Sequence, residues 1–185
     1  LDFPISLVSW SELSRMTTLK SNDSGLLLVK MKDNNIKKTS PDDLVIVLDG
    51  INDPGNLWTI IRIADWYGIS HIVASEDTVD CYNPKVIMAT MGSFSRVPVL
   101  YTNIDWYLSE ITGKVYWAYL EGENIHHTSF TAEWAHIVIW NEAHGIGKKL
   151  EKYITHKLTI PRFGYAESLN AWVATAIIVD RIRWS

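Results

Sequence analysis

From residue 44 onward, apolar residues come in short runs separated by polar, turn-forming stretches. Leu44–Leu48 is five apolar residues in a row, the pattern of a strand buried on both faces of a parallel sheet. Leu57, Ile60, Ile61 and Ala64 recur at i, i+3, i+4 and i+7, which predicts a helix running to about Tyr67 and ended by Gly68. His71–Ser75, Val97–Tyr101, Val115–Tyr119, His136–Trp140 and Lys157–Ile160 read as further strands. Helices are expected near 84–91, opened by Asn83-Pro84, over Asp105–Ile111 and over Glu167–Ile182. Strands alternating with helices predict an α/β domain with a mostly parallel sheet and helices on both faces. Residues 1–43 are polar and irregular apart from the apolar run Gly25–Met31, and Thr39–Asp43 reads as a linker.

The last helix is expected to be apolar nearly all round. Leu169, Trp172, Val173, Ala176 and Ile177 form one face, while Ala171, Ala174, Ile178 and Val179 spread apolarity around the rest. Such a helix is buried, either wholly by its own chain or by the sheet on one side and a second subunit on the other. The second arrangement predicts a homodimer.

Charge and composition narrow the function classes. Seventeen basic against 21 acidic side chains leave a net charge of −4 over 185 residues. A nucleic-acid binder ordinarily carries a basic footprint, so RNA contacts here are expected to be local or supplied from outside this sequence. No apolar run approaches the ~18 residues that span a bilayer. The single cysteine, Cys81, excludes a disulfide framework and points to a reducing, cytoplasmic setting. No metal site is expected, because His126, His127 and Cys81 lack ligand spacing. The start, Leu1-Asp2-Phe3-Pro4, has no basic leader region and reads as a cut end.

In an open parallel sheet, ligands bind beyond the carboxyl ends of the strands. Three strand-end loops are rich in residues that do chemistry. The first is Asp49-Gly50-Ile51-Asn52-Asp53-Pro54-Gly55-Asn56, leading into a helix that bears Arg62. The second is Asn141-Glu142-Ala143-His144-Gly145-Ile146-Gly147. The third is Ile160-Pro161-Arg162-Phe163-Gly164-Tyr165-Ala166-Glu167-Ser168-Leu169-Asn170. Taken singly, each residue has a plainer role: Asn56 as a helix N-cap, Arg62 as a solvated cation, Glu142 as a turn cap, Ser168 as a first-turn helix residue.

Taken together, the three loops resemble, in order, the three motifs of the SpoU (TrmH-like) RNA ribose 2′-O-methyltransferases of the SPOUT superfamily. The resemblance covers about 44–184. It implies a C-terminal trefoil knot and a homodimer with active sites near its interface. It also implies an S-adenosylmethionine pocket built from Ala118, Leu120, Trp140, Asn141, Gly145, Ile160, Pro161, Ser168 and Leu169. By the same resemblance, Arg62 is the catalytic arginine, with Asn56, Glu142, Ser168 and Asn170 orienting it and the ribose. Residues 1–43 would then be the tail of a truncated N-terminal RNA-binding domain plus a linker, and 44–185 the methyltransferase domain. The expected substrate is RNA, ribosomal in preference to transfer RNA, with Lys148, Lys149, Lys152 and Arg162 as local phosphate contacts.

Tryptophan stands where the family has glycine or a small residue, at Trp58, Trp140 and Trp172. An indole in place of a close-approach glycine overpacks a site. The sequence therefore leaves two readings: an active methyltransferase, and a non-catalytic dimeric RNA-binding relative whose cofactor pocket is obstructed by tryptophan. A dinucleotide-dependent oxidoreductase is disfavoured, because the first loop lacks Gly-x-Gly-x-x-Gly. A serine hydrolase is disfavoured by the absence of Gly-x-Ser-x-Gly.

Overall fold

The computed structural model describes residues 4–17, 21–31, 43–130, 135–140 and 149–185. The chain divides into two units, Leu1–Asp33 and Asn34–Ser185. In the first, helix α1 (Trp10–Met16) is opened by a reciprocal capping box. The Ser9 hydroxyl accepts from the Glu12 N–H at 3.3 Å, and the Glu12 carboxylate accepts from the Ser9 N–H at 2.8 Å. This Ser-x-x-Glu signal lies inside the stretch that reads as irregular, so that expectation is corrected for residues 10–16.

The second unit holds six strands: β1 (Leu44–Asp49), β2 (Ile72–Ala74), β3 (Val99–Tyr101), β4 (Lys114–Asn124), β5 (Ala135–Trp140) and β6 (His156–Thr159). They form one sheet in the order β3-β2-β1-β5-β4-β6, and every pairing is parallel. Side chains alternate across it. Leu44, Ile46 and Leu48 join Ile137, Ile139 and Leu158 beneath α2 (Pro54–Trp66), α3 (Pro84–Ala89) and α5 (Ala171–Arg183). Val45, Val47, Val115 and Val138 pack on the other face with Ile104, Tyr107 and Leu108 of α4 (Ile104–Ser109). Both faces of β1 are covered, which is why it reads as an unbroken apolar run.

Three elements differ from expectation by three residues or more at one end, while α3, β3 and α4 are each two residues shorter at one end. Helix α2 begins at Pro54, because Asp53 caps it: its carboxylate accepts from the Gly55 N–H at 2.7 Å, and proline suits the first turn. Strand β4 runs on to Asn124 instead of ending at Tyr119. Helix α5 starts at Ala171 instead of Glu167, with Asn170 as its cap.

The face of α5 turned to the sheet is Ala171, Thr175, Ile178, Val179 and Ile182, not the stripe through Leu169, Trp172, Val173, Ala176 and Ile177. Leu169 precedes the helix, and Trp172 remains 36% exposed. Thr175 is tolerated inside because its hydroxyl donates to the Ala171 carbonyl at 2.7 Å. The far end of α5 is tied to α2 by the Tyr67 hydroxyl donating to Asp180 at 2.9 Å and by Arg183 donating to the Gly68 carbonyl at 3.2 Å. Among the described residues, no helix is long and apolar enough to cross a membrane.

Candidate cofactor and RNA site

The strand order puts the carboxyl ends of β1, β5, β4 and β6 side by side, and the site grows from there. β1 ends at Asp49, which lies opposite Trp140 of β5. Burial, with Asp77 nearby, pushes the Asp49 carboxyl above its ordinary range. The chain then turns through Gly50 at φ 65°, a left-handed conformation that glycine adopts without strain. The turn is stitched to the loop after β2: the Gly50 N–H donates to the Ser75 hydroxyl at 2.8 Å, and the Ile51 N–H donates to Thr78 at 3.3 Å.

With Asp53 as cap, Asn56 falls in the first turn of α2; its backbone N–H donates to the Asp53 carbonyl at 3.1 Å, and its side-chain amide has no hydrogen-bond partner among the described residues. Arg62 follows almost two turns later on the exposed side. Its guanidinium carbon lies 5.9 Å from the centre of the Trp58 ring, and it has no ion pair among the described residues. Trp58 thus backs the arginine by a cation–π contact. Asp65 is engaged elsewhere: Arg96 donates to both its oxygens and Ser93 to one, fixing α2 against the 93–95 turn. Those donors hold the Asp65 carboxyl below its ordinary range.

On the other side of the site, β4 leaves β6 and returns. Ala118 and Glu123 both pair with Leu158, so Tyr119–Gly122 form an excursion between them. The Thr159 hydroxyl donates to the Leu120 carbonyl at 2.9 Å. At Gly122 the two backbones nearly touch, since a Cβ there would lie 2.5 Å from the Lys157 carbonyl oxygen.

Between this excursion, the end of β5, the loop after β6 and the start of α5 lies a cavity of about 530 Å³, within the range of small-molecule sites. Ala118, Leu120, Trp140, Ile160, Pro161, Ser168 and Leu169, all expected from the sequence, border it. So do Tyr119, Phe163 and Glu167, which lie in the expected loops without being singled out, and Ala174, which was not assigned to the pocket. Tyr119 and Glu167 lie beside expected residues. Ala174 is one helical turn beyond Asn170, a spacing that could have found it. Asn141, Glu142, Gly145 and Lys148 lie outside the described residues.

The tryptophans leave this space open among the described residues. Trp140 borders it, but alternation along β5 puts its side chain on the Val138 face. There its ring packs edge-on against the buried Trp117, with centroids 4.9 Å apart and planes at 71°. Trp58 and Trp172 are not part of the lining.

Three of the remaining expected residues have local partners. The Asn170 oxygen accepts from the Trp172 N–H at 3.1 Å as the cap of α5, which leaves its NH₂ to donate. Lys152 pairs with Asp105 at 3.1 Å, so its charge is partly spent. Arg162 borders the cavity and donates to the Ala166 carbonyl at 3.2 Å. Lys149 is exposed.

A parallel sheet with a cavity at the carboxyl ends of its strands, bordered by the third motif, defines a class, and the comparisons agree. The chain belongs to the SpoU rRNA Methylase family, whose model matches residues 43–180. It is 34% identical over 142 residues to the 23S rRNA (guanosine(2553)-2′-O)-methyltransferase RlmP of Bacillus subtilis, a match covering 75% of this chain and 57% of that one. It is 28% identical over 155 residues to the 23S rRNA (guanosine-2′-O-)-methyltransferase RlmB of Neisseria meningitidis, covering 80% and 61%. Among solved structures, the AdoMet-bound rRNA methyltransferase of Sinorhizobium meliloti superposes with a TM-score of 0.73 at 30% identity, covering 78% of this chain and 57% of that one. The chain thus spans about three fifths of the length of these relatives.

Proposed function

We propose that residues 44–185 are the catalytic domain of an RNA ribose 2′-O-methyltransferase that uses S-adenosylmethionine and acts on ribosomal RNA. The observation that carries this is the open cavity of about 530 Å³ bordered by Ala118, Leu120, Ile160, Pro161, Ser168 and Leu169. Its lining is largely apolar, with Thr159, Arg162, Glu167 and Ser168 among its polar groups, which suits a nucleoside with a charged side chain. S-Adenosylmethionine held there would supply an electrophilic methyl group, its carbon–sulfur bond breaking as the ribose 2′-oxygen takes the methyl and gives up its hydroxyl proton to water.

Arg62 acts as a clamp. A guanidinium stays protonated in proteins, so its role is to fork onto the target phosphate and align the 2′-oxygen. Asn56, Glu142, Ser168 and the NH₂ of Asn170 orient the ribose and Arg62. Arg162, Lys148 and Lys149 contact neighbouring phosphates, and Lys152 does so only by exchanging Asp105 for RNA. Phosphate contacts carry no base sequence, so the target is chosen largely by the RNA-binding domain to which residues 1–43 belong. The reading includes the C-terminal trefoil knot that the family resemblance implies. Cys81, a free buried thiol, suits the cytoplasm.

The test is incubation of the protein, joined to its RNA-binding domain, with ribosomal RNA and radiolabelled S-adenosylmethionine. Label should appear in an alkali-resistant dinucleotide, the mark of a blocked 2′-hydroxyl. Label on a base would contradict the reading.

The stripe of α5 that its own sheet leaves partly open, Trp172, Val173, Ala176 and Ile177, supports a homodimer. Light scattering at micromolar concentration should give about twice 21.1 kDa. A mass of one chain would contradict it.

A further inference from the structure

We infer that Lys157 is a positioning residue for the cofactor cavity, gripping the Tyr119–Gly122 excursion that forms one of its walls. This rests on the reading of the cavity given above, and it adds a residue that none of the three motifs contains.

The excursion is the weakest part of the site's frame. Residues 119–123 are exposed, and the ladder to β6 is broken between the Ala118 and Glu123 pairings. An exposed segment with few ladder bonds opens at low cost, yet Tyr119 and Leu120 border the cavity. Lys157 lies directly opposite Trp117 in the register. Its ammonium nitrogen is 5.1 Å from the Trp117 ring centre and 5.2 Å from that of Tyr119. The two rings are themselves 4.4 Å apart. Glu151 also holds the ammonium, at 2.7 Å. The same residue's backbone meets the far end of the excursion, where its carbonyl lies against Gly122. One residue of β6 therefore holds the excursion at both ends, by its head group at Tyr119 and by its backbone at Gly122.

Only the head group can be removed without touching the sheet. Lys157→Met keeps the aliphatic stem and loses the cation; Lys157→Arg keeps the cation and its attraction to the rings. The experiment compares both with the wild type by hydrogen–deuterium exchange without ligand and by calorimetry with S-adenosylhomocysteine. In Lys157→Met, amides of 119–122 should exchange faster while those of β1 and α2 stay protected. Affinity should fall about tenfold, the order expected for a partly exposed cation over two rings plus one surface ion pair. Lys157→Arg should restore most of both, which a role in bulk stability would not produce.

Unchanged local exchange, unchanged affinity, or exchange that rises evenly through the domain would overturn the inference. If Lys157→Met does not fold, Tyr119→Leu removes the half-exposed ring instead and should give the same local exchange and the same loss. If the wild type binds no S-adenosylhomocysteine, the cofactor reading fails, and with it the assignment of Lys157 to a cofactor wall, whatever the exchange shows.

Discussion

Arg62→Ala should lower methyl transfer by orders of magnitude while leaving S-adenosylmethionine affinity nearly unchanged. The expectation follows from where the structure puts the arginine. It is exposed, without an ion pair among the described residues, and backed only by the Trp58 ring at 5.9 Å. It is not among the residues bordering the cavity. Its removal costs the core nothing, since the buried side of α2 is Leu57, Ile60, Ile61 and Ala64. A group used only in the productive complex lowers turnover without changing ground-state binding of the other substrate. Arg62→Lys should rescue little, because an ammonium cannot reproduce a two-pronged contact with phosphate. Activity close to wild type in both variants would return Arg62 to the role of a solvated surface cation.

The second large effect is expected at Gly122. A methyl group there would lie 2.5 Å from the Lys157 carbonyl oxygen and 2.6 Å from its carbon. Both are backbone atoms of a paired strand, so neither can swing aside. Gly122→Ala must push the β4 excursion away from β6. Overpacking of this kind costs about 1–3 kcal/mol, and each kcal/mol lowers the melting temperature of a domain this size by about 2–4 °C. Because the excursion borders the cavity, cofactor affinity should fall as well. Calorimetric melting and a cofactor titration of the same sample check both, and an unaltered melting temperature would mean that the two backbones are not in contact.

How much of this was legible beforehand depends on the kind of signal each element leaves. β1 was readable because burial on both faces leaves an uninterrupted apolar run. The first and third motif loops were readable because their polar residues sit immediately after strands. The start of α2 was not, although Asp53-Pro54 is a good capping pair, because hydrophobic spacing begins only at Leu57. The inward face of α5 was ambiguous by construction: a helix apolar nearly all round offers two stripes, and only the sheet selects one. The β4 excursion left no local signal, since it depends on Gly122 meeting Lys157, 35 residues further along the chain. The fate of Trp140 lay between these cases. Its parity with Val138 was visible in the sequence, but its partner Trp117 becomes known only from the register that pairs Trp117 with Val138. Asn170 shows a further limit. A residue with one side-chain oxygen and one NH₂ can cap a helix with the first and still offer the second, and a motif match reveals only its presence.

The central claim is that the cavity takes S-adenosylmethionine although tryptophan stands at Trp58, Trp140 and Trp172. Isothermal titration of S-adenosylmethionine into the 185-residue protein tests it most directly. The open cavity predicts micromolar binding at one site per chain. A natively folded protein, checked by circular dichroism, that gives no binding heat at any accessible concentration and temperature would contradict it and favour the non-catalytic relative.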